Sequence, residues 1–175
     1  VHTFPDVVAD LRARYAVVLL DEYQDTSIAQ RVLLQRIFGE GHPVMAVGDP
    51  CQAIYGWRGA SVDNIEDFPE HFPAGGDAAA ARFTLSQNRR SGVSILEVAN
   101  RTSAHLRTVH AGVEPLAAGV NGKGQGAVSC ALFETYAQET EWVVGEIEAT
   151  RSARGAGRAV SWSDVAVLAA TGADL

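Results

Sequence analysis

A single lysine, Lys123, stands beside thirteen arginines in these 175 residues. Its surroundings, GVNGKGQG, lack both the spacing and the hydroxyl of the phosphate-cradling pattern Gly-x-x-x-x-Gly-Lys-Ser/Thr, and no other stretch contains that pattern. Cysteine is scarce as well. Cys51 and Cys130 lie far apart without metal-ligand spacing; a reduced protein is the simple reading, with a single disulfide as the alternative. No apolar run approaches the ~18 residues of a membrane span, and no basic start precedes an apolar stretch at the N-terminus, so a cytoplasmic protein without membrane contact is expected. A net charge of −7 argues against a surface that coats nucleic acid generally, while leaving room for a local basic groove.

What remains is ordinary globular material, 47% hydrophobic and 20% charged, enough for one domain or two small ones. Residues 16–20 (AVVLL) form a continuous apolar run with the look of a strand buried on both faces. Ser27 to Gln30 reads as a capping box, and Ile28, Val32, Leu33 and Ile37 follow helical spacing until Gly39. Residues 43–47 (PVMAV) predict a second buried strand, and a short helix is expected over 61–68, ended by Pro69. Further strands are predicted at 82–85, 128–133 and 165–169. Helices are predicted around a capping box at Ser94 to Glu97, continuing to about Arg107, and over 136–154, with a glycine-rich loop across 111–126. Strands alternating with helices imply an α/β fold with a mainly parallel sheet.

In such a sheet, ligands bind beyond the carboxyl ends of the strands. Two stretches lie there. The first is LLDEYQDT, where an aspartate leaving a buried strand can hold Mg²⁺ and a neighbouring glutamate can orient or deprotonate water. Asp-Glu after an apolar run also begins many ordinary loops; the added Gln24, Asp25 and Thr26 make the pattern far more specific. The second is AVGDPCQAIYGWRGA, residues 46–60. Gln52 can donate to a phosphate oxygen, Tyr55 and Trp57 offer flat faces to bases, and Arg58 can meet a phosphate. Tyr55 and Trp57 could instead pack into the core, but Gly56 and Gly59 make the segment irregular and suit a binding loop.

Taken together, DEYQDT and AVGDPCQAIYGWRGA resemble helicase motifs II and III of the UvrD/Rep group of superfamily 1 DNA helicases, and LSQNRRS (residues 85–91) resembles their motif IV. The resemblance implies a RecA-like P-loop NTPase fold, a parallel sheet flanked by helices. Residues 1–87 would be the later part of the first motor domain, without its P-loop, and 88–175 the beginning of the second. It implies ATP and Mg²⁺ as cofactors, single-stranded DNA and duplex/single-strand junctions as partners, and 3′–5′ movement along DNA in repair, recombination or replication. Asp21 would bind the Mg²⁺ and Glu22 would act as base. Gln52 would sense the γ-phosphate, and Trp57 would stack on a base with Tyr55 and Arg58 in support. Arg90 would reach the γ-phosphate across the cleft.

Two positions depart from the family pattern. Arg89 stands where the family's adenine-stacking tyrosine is usual; a planar guanidinium can also stack on a base. Cys51 stands at a commonly acidic position. The absent P-loop and later motifs imply an excerpt of a larger helicase, inactive by itself. The rivals are the motor of a helicase–nuclease and a non-catalytic relative that binds only DNA or a protein partner.

Overall fold

The computed structural model describes residues 4–75, 78–119, 124–152 and 160–169, so Lys123 and the expected helical residues 153–154 lie outside the described residues. The chain forms two compact units, Val1–Val128 and Ser129–Leu175.

In the first unit, α1 (Pro5–Arg14) leads into β1 (Val18–Leu20), α2 (Ile28–Phe38) and β2 (Val44–Ala46). α2 starts at the expected capping box: the Ser27 hydroxyl accepts from the Gln30 backbone while the Gln30 side chain accepts from Ser27 N–H. β1 and β2 pair in parallel, Val18 opposite Val44 and Leu20 opposite Ala46. Because strand side chains alternate between faces, those four residues turn inward. They pack around Tyr23, Phe38 and Phe72 with Leu11, Leu34, Ile37, Ile65 and Phe68. Burial pushes the Tyr23 hydroxyl up to about 12.

The expectation of strands buried on both faces fails. Leu19 and Met45, neighbours on the outer face, are 72% and 58% exposed, because the helices cover one side of this two-stranded sheet. Two helices replace the expected single one: α3 (Asp63–Glu66) and α4 (Phe68–His71). Pro69 lies in the first turn of α4, where its missing N–H costs nothing, so it begins a helix and does not end one.

The remainder of the first unit carries β3 (Gln87–Asn88), α5 (Val93–Thr102), α6 (Ala104–Val109) and β4 (Ala117–Ala118), with β3 and β4 again parallel. Residues 82–85 are not a strand, and the ladder forms further along, at Gln87 and Asn88. β4 falls inside the stretch expected to be a loop. The expected capping box at Ser94 to Glu97 is not used, since Gly92 is the N-cap of α5. Backbone N–H groups of Val93 and Ser94 donate instead to the carbonyls of Gly124 and Gln125. The helix then breaks at Ser103 before α6. Glu66 ties the two parts of this unit together, lying 2.7 Å from His110 Nδ1 and accepting from Arg82 through its carbonyl.

In the second unit, α7 (Tyr136–Ser152) is the main element. Phe133 lies against Trp142, and the Arg151 guanidinium sits 3.5 Å above the Trp162 ring. Residues 128–133 and 165–169, the two remaining expected strands, form no ladder among the described residues. The architecture is mixed α/β with small parallel sheets.

Candidate nucleotide and nucleic-acid site

The two motif loops leave the same end of the β1–β2 pair. The ladder runs one step past each strand, with Val47 N–H donating to Leu20 (2.8 Å) and Tyr23 N–H to Val47 (3.0 Å). Asp21 and Glu22 follow β1 directly, both exposed. Asp21 Oδ1 accepts from the Glu22 N–H at 3.0 Å. Glu22 adopts the left-handed conformation, φ 50° and ψ 41°, which is sparsely populated for a side-chain-bearing residue. Gln24, only 1% exposed, donates through Nε2 to Glu22 Oε2 at 2.7 Å and accepts the Asp49 N–H through Oε1 at 3.2 Å.

On the second loop, Asp49 caps the single 3₁₀ turn Pro50–Gln52. Its Oδ1 accepts from Cys51 N–H at 2.9 Å and its Oδ2 from Gln52 Nε2 at 2.8 Å, so the Gln52 amide is held beside the first loop's anchor. Burial, followed by the nearby Asp49 carboxylate, raises the Cys51 thiol above its usual range against the opposing pull of Arg107. A raised thiol favours the protonated form over the nucleophilic thiolate.

Beyond it, Tyr55 precedes a second 3₁₀ turn, Gly56–Arg58, that carries Trp57 and Arg58 and is closed by Gly59 at φ 86°. Trp57 is 80% exposed, which removes the reading that it packs into the core. The Arg58 guanidinium lies 5.6 Å from the Trp57 ring centroid and 5.8 Å from that of Tyr55, within the range of cation–π attraction. The loop then returns to the first motif: Ala60 bridges Ser27, and Ser61 N–H and Asn64 Nδ2 both donate to the Thr26 carbonyl. An exposed cationic and aromatic edge is thereby hung on a pinned frame. Flat rings and a guanidinium in this setting can take a base and a phosphate.

Arg89 and Arg90 lie elsewhere, on the turn after β3. Asn88 Oδ1 accepts from the N–H groups of both Arg90 (2.9 Å) and Ser91 (2.8 Å), and this turn displays the two arginines to solvent. Among the described residues, neither side chain is bonded to Asp21, Glu22 or Gln52. The structure brings Asp21, Glu22 and Gln52 together with the Tyr55–Trp57–Arg58 loop and joins the arginine pair to them by no direct bond.

Among the described residues no group of three metal-ligating side chains converges. Asp21 alone suits a Mg²⁺ ion, which keeps several waters and takes one or two carboxylates beside substrate phosphates. Among the described residues its Oδ2 accepts no hydrogen bond. The residues that sequence reasoning left without a role are Gln24 and Asp49. Gln24 stands inside DEYQDT, but nothing local signals that its amide reaches a backbone 25 positions away.

Residues 1–73 match the UvrD/REP helicase N-terminal domain, and this part of the chain is similar to that family. The chain is 42% identical over 96 residues to DNA helicase II of Escherichia coli, a match spanning 55% of this chain and 13% of that protein. It is 32% identical over 169 residues to the ATP-dependent DNA helicase PcrA of Leuconostoc citreum, across 97% of this chain and 21% of the relative. Against the ATP-dependent DNA helicase UvrD1 of Mycobacterium tuberculosis it is 41% identical over 108 residues, 58% of the chain and 13% of the relative. The chain therefore spans no more than about a fifth of the length of these relatives. Among the described residues no helix is long and apolar enough to cross a membrane.

Proposed function

We propose that this chain is a segment of an ATP-driven DNA helicase or translocase that moves 3′ to 5′ on single-stranded DNA in the cytoplasm. Residues 1–87 are read as the later part of a first RecA-like motor domain and 88–175 as the beginning of a second. The similarity to PcrA over 169 residues supports an assignment that runs past the first motor domain. The observation that carries the reading is the side-by-side exit of the two motif loops from parallel strands, with the Glu22 carboxylate and the Gln52 amide each held by a neighbour's hydrogen bond.

Asp21 would hold the Mg²⁺ of bound ATP, and the ion's chemistry there would be screening of phosphate charge. Glu22 orients and deprotonates the attacking water, the task for which an exposed carboxylate at a strand end is suited. Gln52 exchanges its bond with Asp49 for one to the γ-phosphate. Trp57 stacks on a base while Tyr55 and Arg58 hold the strand, so movement of the Gln52 turn is felt directly by DNA. Arg90 neutralises charge on the γ-phosphate from the second motor domain and Arg89 stacks on adenine.

The test is Glu22→Gln in the full-length protein. ATP binding should persist while DNA-stimulated hydrolysis falls by ~100-fold or more, the usual worth of a general base. Near-normal turnover in the variant would remove Glu22 from this role.

A further inference from the structure

Gln24 is 1% exposed, yet it spends both ends of its amide on the two motif loops. Its oxygen satisfies the Asp49 N–H, a bond with obvious structural value between loops 25 positions apart. The other bond has a different character. It satisfies the buried Gln24 donor, but Glu22 is exposed and water could serve its carboxylate equally well, so from the Glu22 side the 2.7 Å bond is not required for folding. What it does is choose one direction for a carboxylate whose own backbone is held in the left-handed region. The chain of contacts continues through Asp49, whose side chain holds Gln52 at 2.8 Å. A line of hydrogen bonds thus runs from Glu22 through Gln24 and Asp49 to Gln52. Gly48 permits it, because a methyl group there would lie 2.6 Å from Gln24 Oε1.

We propose that Gln24 is a positioning residue that aims the Glu22 carboxylate and ties that aim to the loop carrying Gln52 and Trp57. The proposal rests on the reading of Glu22 as the base. When the Gln52 turn shifts on nucleotide or DNA, the Asp49 N–H shifts with it, and Gln24 passes the movement to Glu22. Gln24 itself touches no reacting atom. The consequence is that DNA binding at the Trp57 loop sets how well the carboxylate is aimed.

Steady-state ATPase kinetics of the full-length protein, with and without single-stranded DNA, test this with two variants run beside Glu22→Gln. Gln24→Leu removes both bonds; it should lower DNA-stimulated kcat by ~10-fold or more while the nucleotide KM moves less than about twofold. Gln24→Glu keeps the acceptor for Asp49 N–H but sets a second carboxyl against Glu22, with Asp21 already beside them. Like charge turns the Glu22 carboxylate aside, so kcat should again fall by ~10-fold or more while the nucleotide KM stays within about twofold of wild type. Equal melting temperatures separate this from unfolding. Wild-type kcat and wild-type DNA stimulation in Gln24→Leu would overturn the proposal. If Gln24→Leu does not fold, Gln24→Glu decides alone: wild-type kcat and DNA stimulation overturn the proposal, and a lowered kcat at little-changed KM supports it. Loss of turnover in Glu22→Gln beside unaffected Gln24 variants sinks the Gln24 role alone, whereas normal turnover in Glu22→Gln sinks the underlying assignment.

Discussion

Gly48 packs so tightly on Gln24 that a methyl group added to it would lie 2.6 Å from the Gln24 side-chain oxygen and 3.2 Å from its backbone nitrogen. Gln24 cannot swing clear, because it is buried and bonded to both motif loops. Gly48→Ala should therefore destabilise the chain by about 1–3 kcal/mol, the usual cost of forcing a group into a packed site. Urea unfolding checks it. A midpoint equal to wild type would mean that Gln24 has room to move.

Trp57 stands 80% exposed with Arg58 across its ring, in a loop anchored at both ends. Trp57→Ala in the full-length protein should weaken single-stranded DNA binding by about 1–3 kcal/mol, the worth of one base–aromatic stack. Stability should be unaffected, since little of the ring is buried. Fluorescence titration with labelled oligonucleotide measures the affinity, and an unchanged value would remove Trp57 from the DNA interface.

Arg89 and Arg90 share one turn, yet different chemistry is expected of each. Arg90→Ala should lower kcat by ~10³-fold, as loss of a γ-phosphate arginine does, with little change in the nucleotide KM. Arg89→Ala should mainly raise that KM, and Arg89→Tyr should restore it. ATPase kinetics at saturating DNA distinguish them; a silent Arg90→Ala beside a crippled Arg89→Ala would reverse the assignment.

His71 titrates below its usual value of 6.5, first because it is desolvated and next because the Arg31 cation is near, with Asp67 and Glu70 opposing. The unfolded chain therefore binds this proton more readily than the folded one. The associated stability is intact above pH ~6.5 and is lost as pH falls through that value toward the folded one. His71→Gln should lose less of its urea midpoint than wild type between about pH 7.5 and 5.5. Identical pH profiles for the two proteins would show that His71 is not the group responsible.

Local signals were legible. The capping box at Ser27 and Gln30, the apolar spacing of α2 and its stop at Gly39 involve residues a few positions apart, so their interactions are written in consecutive sequence. The run of apolar residues before Asp21 likewise announced a strand. Signals that need a distant partner misled. The Ser94 to Glu97 pattern has the right spacing for a cap, but the carbonyls of Gly124 and Gln125 reach the N-terminus of α5 instead. Residues 82–85 have the composition of a strand, but the ladder with Ala117 and Ala118 forms at Gln87 and Asn88.

The sequence by itself determined the two motif loops, the residue types they carry and their place after parallel-type strands, because motif spacing and side-chain chemistry are properties of consecutive residues. Only the tertiary structure decided that Trp57 is exposed, that one face of the β1–β2 pair is uncovered, and that Gln24 bonds both loops at once. Each of those depends on which backbone is brought alongside. A glutamine amide has the same donors and acceptors wherever it stands; its two partners are chosen by the parallel pairing that sets Leu20 against Ala46 and so carries Asp49 to Gln24.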